Sequence, residues 1–157
     1  MTSPAPARQP TSTVPPASGN PLRVVIDTSV LIRYLLKPSA STVELIEVRW
    51  LGGEVQMVTA PELLSELAEV LARDAMRTLI EPDEGRVLLE AIGRHADILP
   101  ALGPVPTYTR DPKDDKFVAC AIAGEASYVV TEDRDLLVLG TLAGIGMVTP
   151  YDLLSRT

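Results

Sequence analysis

Residues 24–30 read VVIDTSV: three β-branched residues, a carboxylate, then small hydroxyl side chains and a valine. A short apolar run of this kind, bounded by polar residues, predicts a strand buried on both faces. SVLIRYLL continues it as a helix stopped by Pro38. Asp27 therefore sits where a strand hands over to a helix. It can cap that helix by accepting an orphan backbone N–H, with Thr28 or Ser29 sharing the work. It can equally be one member of a charged cluster assembled from distant parts of the chain.

The same alternation recurs outward from this point. SASTVELIEVRWL predicts a helix capped near Ser39 or Ser41 and ended by Gly52 and Gly53, and VQMVT a second strand. APELLSELAEVLARDAM carries apolar residues at 63, 64, 67, 70 and 71, the stripe of one long helix. EPDEGRVLLEAIGRHADIL predicts a helix running towards a short strand near Asp97 to Leu99. After a proline-rich connection, KDDKFVACAIAGEA predicts a helix ended near Gly124, and SYVVT a fourth strand. DRDLLVLGTLAGI reads as a short helix and turn, GMVT as a fifth strand and PYDLLSR as a terminal helix. Strands and helices in alternation predict a three-layer α/β/α fold around a central, mainly parallel, twisted sheet of four to five strands. Ligands of such sheets gather beyond the carboxyl ends of the strands, where strand order reverses.

The chain has 157 residues, 46% of them hydrophobic, which suits one domain with one core. Residues 1–20 hold five prolines and one charge without periodicity, predicting a disordered leader ahead of a single domain over 21–157. With 21 acidic and 14 basic side chains the formal charge is −7, which argues against a passive cationic sleeve for nucleic acid. It leaves room for an enzyme that holds phosphates through a metal. The single Cys120 excludes an internal disulfide and a thiolate cluster. No apolar run reaches the ~18 residues of a membrane span, and no secretory signal is present, so a cytoplasmic protein with no membrane contact is expected.

Several acidic residues have structural explanations when taken singly. Glu62, Glu66 and Glu69 share one helix face and could be a solvated stripe; Glu62 also lies in the first turn, where the helix dipole favours it. Asp111 can cap a helix with Pro112 in its first turn, leaving Asp114 and Asp115 at early helical positions. Three acids in five positions exceed what a cap requires, and like charges cluster at a cost unless a cation offsets them. Asp133 and Asp135 follow the strand SYVVT directly, where one carboxylate, not two, is needed for capping. Together, four acidic positions from four separate segments favour a site for a hard divalent cation such as Mg²⁺, able to activate water for attack on a phosphodiester. Other reactive constellations are missing: there is no phosphate-binding or Rossmann glycine pattern, His95 stands alone at a helix end, and Cys120 lies in an apolar helical stretch.

VVIDTSVL, TAPELLSELAEVL, DPKDDKFVACAIAGEASYVVTEDRDLL and GIGMVTPYDLL, in that order, resemble the PIN domain family, in particular its bacterial toxin (VapC-like) branch, from about Leu22 to Leu154. The resemblance implies a ribonuclease-like fold and a carboxylate cluster that binds Mg²⁺ or Mn²⁺. It carries the family acids onto Asp27, Glu66, Asp115 and Asp133 as catalytic metal ligands, with Asp135 as a further ligand and Ser29 and Thr131 as auxiliaries. Ser29 stands where many relatives have Asn. Glu132 takes a place often held by a small residue, which would crowd the entrance or add negative charge. Arg33, Lys37, Arg73, Arg110, Lys113 and Lys116 flank the acids and could bind phosphate oxygens, or be solvated surface residues. The implied activity is RNA hydrolysis by a toxin whose small antitoxin partner occludes the site, in a chain that could also form a homodimer. Two alternatives stand beside it: a non-catalytic PIN-like module that binds RNA or protein, and a small-molecule phosphohydrolase, although DTSV lacks the second Asp of the haloacid dehalogenase pattern.

Overall fold

The computed structural model of the chain describes residues 20–157, so the expected leader lies, apart from Asn20, outside the described residues. The β-branched run forms β1 (Leu22–Ile26) at the middle of a six-stranded sheet. The other strands are β2 (Val55–Thr59), β3 (Asp97–Ile98), β4 (Tyr128–Val130), β5 (Thr141–Leu142) and β6 (Ile145–Val148). Their order is β3-β2-β1-β4-β6-β5, parallel throughout except for β5, which runs antiparallel to β6. The chain leaves β1 towards β2 on one side and returns to β4 on the other. The sheet therefore reverses order between β1 and β4, and a crevice opens beyond their carboxyl ends.

The alternation of β1 explains the three layers. Val24 and Ile26 point into one core with Leu45, Ile46, Trp50, Leu88, Ile92 and Leu153. Val25 points into the other with Phe117, Val118, Cys120, Ala121 and Leu136. The first core is roofed by α1 (Thr28–Leu36), α5 (Pro82–His95), α8 (Pro150–Arg156) and a segment that begins as α2 (Ala40–Val43) and widens to π-helical geometry over Glu44–Trp50. The second lies under α6 (Asp115–Ala123) and α7 (Arg134–Leu137). Helix α3 (Pro61–Leu71) joins both: Leu63 packs in the second core and Leu67 in the first. It thus passes over the sheet's carboxyl edge and carries Glu66 there.

Three details differ from the sequence reading. The long helix expected from Pro61 onwards breaks at Ala72 and Arg73, and a separate α4 spans Asp74–Leu79. Once Leu71 has packed against the first core the apolar stripe is exhausted, and α4 buries no residue at all. The turn expected after α7 contains the sixth strand, β5, paired with β6 through a two-residue loop. Ala143 and Gly144 both take positive φ there (54° and 80°), the backbone that a tight hairpin needs. The helix expected over SASTVELIEVRWL is π-helical for most of its length.

Gly124 ends α6 where a Cβ would lie 2.4 Å from a methyl of Val58, so only glycine lets this helix close onto β2. Among the described residues no helix is long and apolar enough to cross a membrane.

Candidate metal centre

Asp27 caps α1 and faces the crevice. Its Oδ1 accepts the Ser29 backbone N–H (3.3 Å), while Oδ2 accepts the hydroxyls of Ser29 (2.9 Å) and Thr131 (2.6 Å). The ladder between β1 and β4 extends one step further here, with the Asp27 N–H donating to the Val130 carbonyl at 2.9 Å, so Asp27 stands beside Thr131. Thr131 is fully buried and also accepts the Asp133 N–H at 2.9 Å, which ties the two strand exits together. Asp133 in turn caps α7 by accepting the Asp135 N–H at 2.9 Å. Capping and clustering are therefore not rival explanations: the capped helix starts are what aim these carboxylates into one crevice. Burial pushes the Asp27 carboxyl up, against the pull of the Thr131 and Ser29 hydrogen bonds, and the Glu66 charge adds to the rise.

In the third acidic segment the two neighbouring carboxylates have different surroundings. Asp115 is buried, but its Oδ1 accepts the backbone N–H groups of Tyr108 (2.9 Å) and Thr109 (2.8 Å). Burial alone would raise its pKa; these bonds overcome that and hold it below the usual carboxylate value. Asp115 anchors the preceding loop. Its neighbour Asp114 turns into the crevice instead, at the end of a 3-10 turn over Pro112–Asp114 capped by Asp111, whose Oδ1 accepts the Lys113 N–H at 3.0 Å.

Asp114 is 8% exposed, and its Oδ2 is buried without any hydrogen-bond partner. Burial, the charge and hydrogen bond of Asp133, and the charges of Asp27 and Asp111 push its carboxyl up to about 7. Asp111, Asp114 and Asp135 each bring a carboxylate oxygen within 4.8 Å of the others. None of Asp27, Asp111, Asp114, Asp133 and Asp135 belongs to an ion pair among the described residues. An orphaned buried carboxylate oxygen among uncompensated carboxylates is a donor set suited to a hard, oxygen-seeking cation.

Glu66 reaches the same crevice from α3 but is paired with the Lys116 ammonium of α6. Glu62 is turned away, its Oε2 accepting the Leu102 and Gly103 N–H groups at 2.8 and 3.3 Å, and Glu69 lies at the rim. The whole forms a cleft of about 730 Å³. Its floor is acidic, and Arg33, Lys37, Arg73 and Lys113 line it from α1, the end of α3 and the 3-10 turn. Glu132 pairs with Arg33 at 2.8 Å, so its charge is answered at the rim; Arg110 does not line the cleft. His95 is exposed at the end of α5, and burial pushes the thiol of Cys120 up to about 12, as befits core residues and helix ends rather than a reactive site.

Of the sequence candidates, the cleft gathers Asp27, Ser29, Glu66 and Asp133, with Thr131 bonded to two of them and Asp135 close to Asp114. It excludes Asp115 and adds Asp111 and Asp114. The signal for these two was the excess of acids over what one cap needs.

Residues 23–135 match the PIN domain family, and the chain belongs to that family. No curated protein matches it significantly. Among solved structures it is similar to a chain of VapBC2 from Rickettsia felis, crystallised bound to a DNA fragment from the promoter. That likeness has 12% identity and a TM-score of 0.55, covering 80% of this chain and 97% of the other, and it concerns the fold.

Proposed function

We propose that this PIN protein is a Mg²⁺- or Mn²⁺-dependent endoribonuclease, the toxin of a toxin–antitoxin pair, acting in the cytoplasm on RNA. The observation that carries the reading is the buried, unpartnered Oδ2 of Asp114 among carboxylates that form no ion pair among the described residues. Asp27, Asp114 and Asp133 would hold the cation, with Asp111 and Asp135 beside them; Asp114 takes the role that the sequence reading gave to Asp115. When bound, the cation supplies Lewis-acid activation of water and of a phosphodiester oxygen. The protein's own groups do the rest. Thr131 fixes Asp27 and the start of α7 relative to each other, so the carboxylates meet the substrate in one arrangement. Glu66, on the opposite wall, orients the incoming water. Lys37, Arg73 and Lys113, which make no ion pairs among the described residues, are free to grip phosphates on either side of the one being cut.

The basic rim around an acidic floor favours a chain of phosphates over a small phosphate ester. The toxin role draws on the fold shared with a VapBC2 chain, together with the family resemblance. A small antitoxin would cover the cleft, and a homodimer is compatible with the exposed apolar residues on α4 and α5, Leu79 and Val87.

The test is cleavage of mixed-sequence RNA by partner-free protein with Mn²⁺, with Mg²⁺ and with chelator, beside Asp114→Asn and Asp115→Asn. Metal-dependent cleavage abolished by the first and retained by the second supports this assignment. Loss with Asp115→Asn in folded protein, together with normal cleavage by Asp114→Asn, refutes it. Metal and RNA binding without turnover would make the chain a binding module.

A further inference from the structure

The acidic floor of the cleft has two unequal halves. Asp27, Asp111, Asp114, Asp133 and Asp135 form one half, which holds the orphaned Asp114 oxygen and has no ion-paired basic partner among the described residues. Glu66 forms the other half, and there the positive charge is already built in. The Lys116 ammonium pairs with the Glu66 carboxylate, donates to the Lys113 carbonyl at 2.6 Å and lies 5.0 Å from the centre of the Phe117 ring. Its side chain is only 18% exposed. A lysine held from three directions behaves as a fixed charge, unlike an exposed lysine whose long stem samples many rotamers.

Resting on the metal-dependent reading above, we infer that the cleft takes a single divalent cation, in the Asp114 half, and that Lys116 supplies at Glu66 the counter-charge that a second cation would otherwise provide. A divalent ion at Glu66 would have to displace a half-buried, ion-paired ammonium or sit beside it, and both are unfavourable at short range. The two halves are also built by one stretch of chain. Asp114 ends the 3-10 turn, Asp115 anchors the loop and Lys116 reaches across to α3, so the free carboxylate and the fixed ammonium arrive together.

The count of bound ions tests this without reference to catalysis. The full chain, stripped by chelator, is titrated with Mn²⁺ while the paramagnetic signal of the free ion is followed, and thermal melts establish that each variant is folded. Wild type and Lys116→Arg are expected to bind about one Mn²⁺ per chain, and Lys116→Met about two, the added one more weakly. Lys116→Met combined with Glu66→Gln is expected to return the count to about one, and Asp114→Asn to weaken the original site by about tenfold or more. Lys116→Gln is run in parallel and keeps the test decisive if the methionine variant does not fold. About two ions in wild type, or an unchanged count in the folded Lys116 variants, overturns the role given to Lys116 while leaving the metal-dependent reading intact. No Mn²⁺ bound by wild type overturns both.

Discussion

Replacing Asp114 by Asn separates the cost of this cleft from its use. In the metal-free protein the Asp114 carboxyl is pushed up to about 7, from an ordinary value of 3.8. A folded-state pKa above the unfolded one means that the folded protein retains a proton the unfolded chain has released. Below about pH 3.8 both states are protonated and the group is neutral in the balance. Between there and about 7 stability falls as pH rises, and above 7 the whole cost is present. A rise of this size corresponds to about 4 kcal/mol at most, and solvent screening of a cleft-facing group brings the expected cost to about 2–4 kcal/mol. Asn cannot ionise, and its amide can donate to Asp133 as the protonated acid does. The variant should therefore melt roughly 5–10 °C above metal-free wild type at pH 8, and the gap should close towards pH 4. Saturating Mn²⁺ should raise the wild-type melting temperature and leave the variant nearly unmoved. Calorimetry or circular dichroism across pH, with and without metal, provides the assay. A metal-free variant less stable than wild type at pH 8, or a gap that ignores pH, would refute the electrostatic account.

The neighbouring substitution should do the reverse. Asp115→Asn weakens the acceptor for the Tyr108 and Thr109 N–H groups and should cost about 1–3 kcal/mol in a denaturant melt, with Mn²⁺ affinity unchanged. Because the folded-state pKa of Asp115 is lowered, its stabilisation is present above about pH 3.8 and is lost as pH falls through the folded value, so the difference should shrink in acid. Thr131→Val cuts the bridge between Asp27 and Asp133 with little change in volume and should weaken Mn²⁺ binding by about 10–100-fold, read by direct titration. Cys120 is fully buried and its thiol is pushed up to about 12, so a thiol reagent should label it only at the rate at which the protein unfolds.

Much of this architecture was legible in the chain because its signals are local. A short β-branched run flanked by polar residues packs best as a buried strand, and periodic leucines favour burial of one helix face. Alternating the two yields a parallel sheet with a crevice beyond Asp27 and Asp133. The short β5 escaped because two residues carry no periodicity, and the break after Leu71 escaped because only the packed core shows where the apolar stripe ends. The site divides in the same way. Strand exits put Asp27 and Asp133 in the crevice by the strand-to-helix handover alone. Asp114 and Asp115 are neighbours in sequence, alike in chemistry and equally suited to a helix start, so nothing local distinguishes them. Consecutive residues at a helix start point about 100° apart, and the loop at Tyr108 and Thr109 claims one carboxylate and leaves the other to the cleft. The pairing of Glu66 with Lys116 is likewise tertiary: the two are fifty residues apart along the chain and become partners only because α3 crosses the sheet edge beside α6.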